Sequence, residues 1–117
     1  MHSDELLKLA QSSLEDMKAR DVRVLDVRGL TSVTDYLLIA SGTSDRHVRS
    51  LAQSVAETAK QAGQPPLGIE GQETGEWVLV DLCDVVVHVM QPRTREFYKL
   101  EDLWAVGMGV ASTTTGS

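Results

Sequence analysis

The side chains most able to do chemistry fall together in one segment, DLCDVVVH, which holds two carboxylates, the single cysteine and a histidine. Asp81 and Asp84 could hold a metal ion, but aspartate is a favoured turn residue and two carboxylates are weak support. The histidines of the chain share no recognisable ligand spacing with Cys83. A nucleophilic Cys83 needs a neighbouring base, and His88 is predicted to lie across from Leu79, several residues from the turn. The sequence therefore predicts no metal, no cofactor and no enzymatic activity.

A second candidate site is the segment SGTSDRH, between a predicted strand and a predicted helix. Backbone amides at a helix start can hold a phosphate, and Arg46 could assist. The segment has neither the Gly-x-Gly-x-x-Gly pattern nor a P-loop lysine. Capping of the helix by Thr43 or Ser44 is the simpler role. Ser44 and His47 lie three residues apart, but no third orienting group is evident. A nucleotide-binding enzyme or sensor is the alternative function that this segment leaves open.

The chemistry-bearing residues are positioned by a predicted β-hairpin, EWVLVDLCDVVVHVM, with Cys83 and Asp84 at its turn. Directly opposed residues share a face of the sheet, so the hairpin has one wholly apolar face. That face consists of Val78, Val80, Leu82, Val85, Val87 and Val89. The opposite face, here called the Trp77 face, consists of Trp77, Leu79, Asp81, Val86, His88 and Met90. We expect the apolar face to lie in the core and the Trp77 face to dock another protein.

Other segments predict the elements around the hairpin. Apolar residues at helical spacing predict helices over 3–19 and 44–62, and β-branched and apolar runs predict strands over 22–28, over 36–41 and near LGIEG. Ser3 is the expected N-cap of the first helix. A strand, a helix and a further strand in this order predict a βαβ crossover. Pro92 predicts the start of a short helix.

Two helices can cover only one face of a four- or five-stranded sheet, which leaves the Trp77 face open. The alternative is that the segment REFYKLEDLW folds back and buries Phe97, Leu100 and Trp104 against that face. Residues 107–117 are small and polar and predict a disordered tail, so that residues 1–106 form one domain.

Composition limits the classes of function. The chain has 117 residues, enough for a single core, and a net charge of −6. This charge disfavours nonspecific nucleic-acid binding and permits attraction to a basic protein. No segment approaches the about 20 apolar residues of a membrane span, and no signal-peptide pattern is present. A single cysteine excludes an internal disulfide and predicts a cytoplasmic protein.

Several segments, in this order and spacing, resemble the ribosomal silencing factor family, also called RsfS, YbeB or Iojap. They are DYLLIASGTSDRHVRSLAQSV, the EG pair at 70–71, Trp77, DLCDVVVH and REFYKLEDLW. The resemblance covers nearly all of residues 4–104. It implies an α/β protein with a mixed sheet of about five strands and nucleotidyltransferase-like topology, not known as an enzyme. It also implies binding to ribosomal protein L14 on the large subunit, a block on small-subunit joining, and repression of translation during nutrient limitation. Family members often form homodimers.

The resemblance maps partner binding to Trp77, Leu79, Asp81, Asp84 and His88. This region coincides with the Trp77 face and the turn beside it. The implied mechanism is steric occlusion, with no chemistry.

Three residues depart from the family pattern. Cys83 stands where the family usually has glycine, and a positive φ there would cost about 1 kcal/mol or more. Met90 replaces a usual aromatic residue, a mild change if the position packs apolar groups. Arg93 stands where an acidic residue is common, which is expected to weaken or reorient contact with a basic partner.

Overall fold

The computed structural model describes residues 2–102. Its elements are α1 (Ser3–Asp16), β1 (Arg20–Asp26), β2 (Tyr36–Ser41), α2 (Asp45–Gln61), β3 (Gly68–Glu70), β4 (Trp77–Asp81), β5 (Val85–Met90) and α3 (Pro92–Tyr98). The strands form one mixed sheet in the order β1-β2-β5-β4-β3, which confirms the predicted α/β class. The nucleotidyltransferase-like topology stays a prediction. The predicted tail at 107–117 lies outside the described residues.

The sheet combines one parallel pair of strands with three antiparallel pairs. β2 and β5 pair in parallel, and all other neighbouring strands pair antiparallel. β5 pairs antiparallel with β4, and β4 pairs antiparallel with β3, so β3 runs in the same direction as β5. It therefore also runs in the same direction as β2, which is parallel to β5. The predicted crossover from β2 through α2 to β3 is therefore present, with β5 and β4 lying between its two strands.

Both long helices pack on the apolar face of the hairpin. Leu6, Ala10 and Leu14 of α1 and Leu51 and Val55 of α2 are buried there. The six apolar hairpin residues join the same core cluster, as predicted: Val78, Val80, Leu82, Val85, Val87 and Val89. Removing these side chains from water is the main term that holds the helices to the sheet.

The start of α2 agrees with the prediction, whereas the start of α1 does not. Ser44 is the N-cap of α2, and its Oγ accepts a hydrogen bond from the His47 backbone N–H at 3.0 Å. At α1 the N-cap is His2 rather than Ser3. The His2 backbone N–H donates to Glu5 Oε1 at 3.0 Å, because a glutamate at the third helical position can satisfy this donor.

The predicted end of α1 was three residues too late. The helix ends at Asp16, and Lys18 then takes a positive φ of 65°. The Ala19 backbone N–H donates to the Leu14 carbonyl at 2.9 Å, a bond typical of helix ends that close with a left-handed residue. This early end brings forward β1, which begins at Arg20 rather than at residue 22.

Candidate protein-docking face

The hairpin has the register that the sequence predicts. Trp77 lies opposite Met90, Leu79 opposite His88, and Asp81 opposite Val86. These pairings place all six residues of the Trp77 face on one side of the sheet. The prediction was possible because alternation along two strands and a two-residue turn together leave only one register.

Cys83 occupies a position suited to glycine. Its φ is 75°, and the Asp84 backbone N–H donates to the Leu82 carbonyl across it at 3.0 Å. The Cys83 backbone N–H donates to Asp81 Oδ1 at 2.9 Å. A positive φ and a hydrogen bond between residues two apart are features of a tight and strained γ-turn. The turn therefore holds an L side chain in a conformation that glycine adopts without strain.

The Trp77 face is only partly open. Met90 is fully buried and His88 is 8% exposed, whereas Trp77, Leu79, Asp81 and Val86 are half-buried. Ile39 of β2, which pairs with His88 and so lies on the same side of the sheet, is also fully buried. The expectation of a wholly open face was therefore wrong for His88 and Met90. The accessible part of the face lies along β4 and at Val86, next to the turn. A partner therefore has access to the β4 side chains, including the indole.

The Trp77 side chain is held in place by a histidine. The indole Nε1–H donates to His88 Nδ1 at 3.0 Å, and the two rings lie 5.9 Å apart. Burial lowers the pKa of His88 to about 4. Near neutral pH the imidazole is therefore uncharged, and Nδ1 is free to act as an acceptor. His88 orients the indole from below rather than presenting its own ring to a partner.

α3 borders the indole without burying its own aromatic residues. The Tyr98 ring lies 5.0 Å from that of Trp77, and the Phe97 ring packs edge-on to Tyr98 at 4.9 Å. Phe97 is 76% exposed and Tyr98 55%. The alternative prediction, in which Phe97 is buried against the sheet, is therefore wrong for this residue. Leu100 is half-buried, and Trp104 lies outside the described residues.

Two shallow depressions lie in this region, of which the first is lined by the indole. One, of about 240 Å³, is lined by Glu70, Gly71, Trp77 and Leu79. The other, of about 310 Å³, is lined by Glu76, Gln91, Arg93, Thr94, Phe97 and Tyr98. Arg93 thus belongs to the second depression.

Arg95 anchors α3 to the sheet, and sequence reasoning missed it. Its Nη1 donates to the Asp21 carbonyl at 2.7 Å and to Ser41 Oγ at 2.9 Å. Its Nε and Nη2 donate to Glu101 at 2.9 and 2.8 Å. A buried arginine of this kind is invisible to periodicity, because its partners lie up to 74 residues away along the chain. The only local signal was the Glu101 carboxylate six residues downstream.

The candidate catalytic groups have structural partners instead. His47 Nδ1 accepts from the Thr43 backbone N–H at 2.9 Å, and Nε2 lies 2.9 Å from the Met17 carbonyl. Asp81 caps the hairpin turn, and His88 lies across from Leu79 as predicted. Between residues 2 and 102, no cluster of three or more His, Cys, Asp or Glu side chains could bind a metal ion. None of the helices described is long and apolar enough to cross a membrane.

These features define a small α/β protein with two helices on one side of a mixed sheet and an accessible tryptophan on the other. A family model described as "Ribosomal silencing factor during starvation" matches residues 1–115. The ribosomal silencing factor RsfS of Chromobacterium violaceum is 49% identical over 104 residues, covering 89% of this chain and 85% of the relative. That of Haemophilus influenzae is 41% identical over 100 residues, covering 86% and 98%.

Solved structures agree with this relationship. The crystal structure of a Chromobacterium violaceum protein superimposes with a TM-score of 0.88 at 48% identity, covering 90% of this chain and 88% of that one. The chain belongs to the ribosomal silencing factor family. The curated bacterial relatives are named for a regulatory rather than a catalytic role.

Proposed function

We propose that this protein binds the large ribosomal subunit through ribosomal protein L14, blocks joining of the small subunit and so represses translation during nutrient limitation. Family membership supports the ribosomal role. The observation that carries the site is the position of Trp77, half-buried on the sheet face opposite the helices. Tryptophan is enriched among the residues that dominate binding energy at protein interfaces.

The proposed contact residues have different roles in binding. Trp77 and Leu79 supply apolar area on β4, and Asp81 and Asp84 supply negative charge at the turn end of the face. His88 acts through its hydrogen bond to the indole, because its own side chain is almost inaccessible. An aromatic side chain that is already fixed before binding loses less conformational entropy when the partner docks, which lowers the free-energy cost of binding.

The proposed mechanism is occlusion by a folded body. Repression then requires only that the protein remain bound where the small subunit would dock, and it requires neither a cofactor nor catalysis. We place this activity in the cytoplasm, where ribosomal subunits join. A homodimer of the free protein is part of the same proposal.

Co-sedimentation with isolated large ribosomal subunits tests the proposal. We expect the wild-type chain to sediment with the subunits and to lower the yield of joined ribosomes when small subunits are added. Trp77→Ala is expected to weaken binding by at least about 2 kcal/mol, as for other central aromatic anchors. Unfolding curves establish that the variant is folded.

Met17→Ala is the matched control. Met17 is also partly exposed and apolar, but it follows α1 on the helical side of the sheet. We expect it to bind like the wild type. Equal loss of binding in both variants, or no sedimentation of the wild type, would contradict the proposed function.

A further inference from the structure

The net negative charge of the chain is concentrated in the stretch that carries β3, β4 and β5. Between Lys60 and Arg93 the sequence has no lysine or arginine. The same stretch carries five carboxylates, namely Glu70, Glu73, Glu76, Asp81 and Asp84. A surface of one charge sign attracts a partner of the opposite sign and repels nucleic-acid phosphate.

One of these carboxylates lies next to β4, the strand that carries Trp77. Glu70 on β3 pairs directly with Leu79 on β4, so both side chains point to the Trp77 face. Trp77 lies two residues from Leu79 and is thus a diagonal neighbour of Glu70, within reach of a long side chain. Within residues 2–102, neither a hydrogen bond nor an ion pair engages the Glu70 side chain.

Glycine at position 71, which also lines the depression beside the indole, lets the chain after β3 pass close to the backbone of Trp77. Gly71 has a φ of 90°, and a Cβ added there would collide with the Trp77 carbonyl oxygen. This depression, of about 240 Å³, is lined by one carboxylate, one indole and one leucine. Its size is below the about 300 Å³ at which small-molecule sites begin, so it suits a single side chain of a partner.

We propose that this depression receives a lysine or arginine side chain of the docked ribosomal protein. The cationic group lies between the Glu70 carboxylate and the indole of Trp77, and the aliphatic stem packs on Leu79. Tryptophan gives the strongest attraction between a cation and an aromatic face, and a carboxylate adds a charge-assisted hydrogen bond. This inference rests on the proposed function and assigns Glu70 a part in partner specificity.

The test compares two substitutions that remove the same charge. Glu70→Gln removes the carboxylate in the depression, and Glu73→Gln removes an exposed carboxylate three residues away that does not line it. The dissociation constant for isolated large ribosomal subunits is measured for each variant at low and at raised salt. We expect Glu70→Gln to bind about tenfold more weakly at low salt, with a smaller deficit at raised salt. Glu73→Gln is expected to bind within about twofold of the wild type.

Charge reversal gives a second measurement. Glu70→Lys places like charges together and is expected to weaken binding at least as much as Glu70→Gln. Stronger binding of Glu70→Lys would indicate contact with ribosomal RNA and would overturn the inference. Equal losses of affinity in Glu70→Gln and Glu73→Gln would mean that Glu70 acts only through long-range electrostatic attraction. That result would also overturn the inference.

The two proposals fail in different ways. If the wild type and Glu70→Gln bind the subunits equally, the cation site is refuted and the proposed function stands. If the wild type does not bind at all, both are refuted. If Glu70→Gln alters only self-association in sedimentation velocity, a second copy of the chain occupies the depression, and the assignment to a ribosomal protein is wrong.

Discussion

Protonation of His88 should destabilise the fold as the pH falls below neutrality. Burial lowers the pKa of this imidazole to about 4 in the folded state, against 6.5 in the unfolded chain. The folded state therefore binds the proton less well than the unfolded state does. Stability is fully retained above the unfolded pKa and decreases as the pH drops from about 6.5 to about 4.

The magnitude follows from the two pKa values. Their difference, 6.5 minus about 4, is multiplied by about 1.4 kcal/mol per pH unit and gives about 3.5 kcal/mol at full protonation. Between pH 7.5 and pH 4.5 most of this, about 2.5 kcal/mol, should be lost from the free energy of unfolding. The side chain is only 8% exposed, so screening by solvent removes little of the effect.

Urea unfolding at a series of pH values measures this loss, with His88→Asn as the reference. An asparagine can accept the indole hydrogen bond through its side-chain oxygen but does not titrate. All other ionisable groups are common to the two proteins, so their contributions cancel in the difference. We expect the wild type to lose about 2.5 kcal/mol relative to the variant between pH 7.5 and pH 4.5. Parallel stability curves for the two proteins would refute the lowered pKa.

Two further substitutions test the framework around the docking face. Cys83→Gly should raise the free energy of unfolding by about 1 kcal/mol, since glycine tolerates the φ of 75° at this position. Cys83→Ala keeps the strained φ and should leave the urea midpoint nearly unchanged, so an equal gain from alanine would contradict a backbone origin. Arg95→Met should cost about 3 kcal/mol, because it leaves the carboxylate of Glu101 without its buried partner. Arg93→Met, two residues away at an exposed position, should change stability by less than about 0.5 kcal/mol, and similar losses from both variants would count against the buried contacts.

The hairpin is the part of the fold that local sequence determines most completely. Its two faces and its turn at Cys83 were predictable because side chains alternate along a strand and a short turn admits few registers. Ser44 as a helix cap was predictable for a similar reason, since capping depends on residues within one turn. The five contact residues on and beside the Trp77 face also came from the sequence, partly through the family resemblance, and their role in binding stays a proposal.

The early end of α1 is a local error, because a left-handed Lys18 closes the helix there. The other errors lie where distant parts of the chain meet, and the exposure of Phe97 depends on where α3 is anchored. Arg95 sets that anchor through atoms on β1 and β2. No local pattern encodes such a contact, because burial of a charged side chain is stable only where separate segments bring it partners.

The sequence by itself determined the class of fold, the apolar core face and the family, since these follow from local periodicity and from the order of motifs. Only the tertiary structure decided how much of the Trp77 face is accessible. It buried Ile39 and Met90, placed His88 beneath the indole and left side chains of β4 accessible beside Glu70. Accessibility is a property of the assembled surface, because each side chain is covered by neighbours that are remote in the chain.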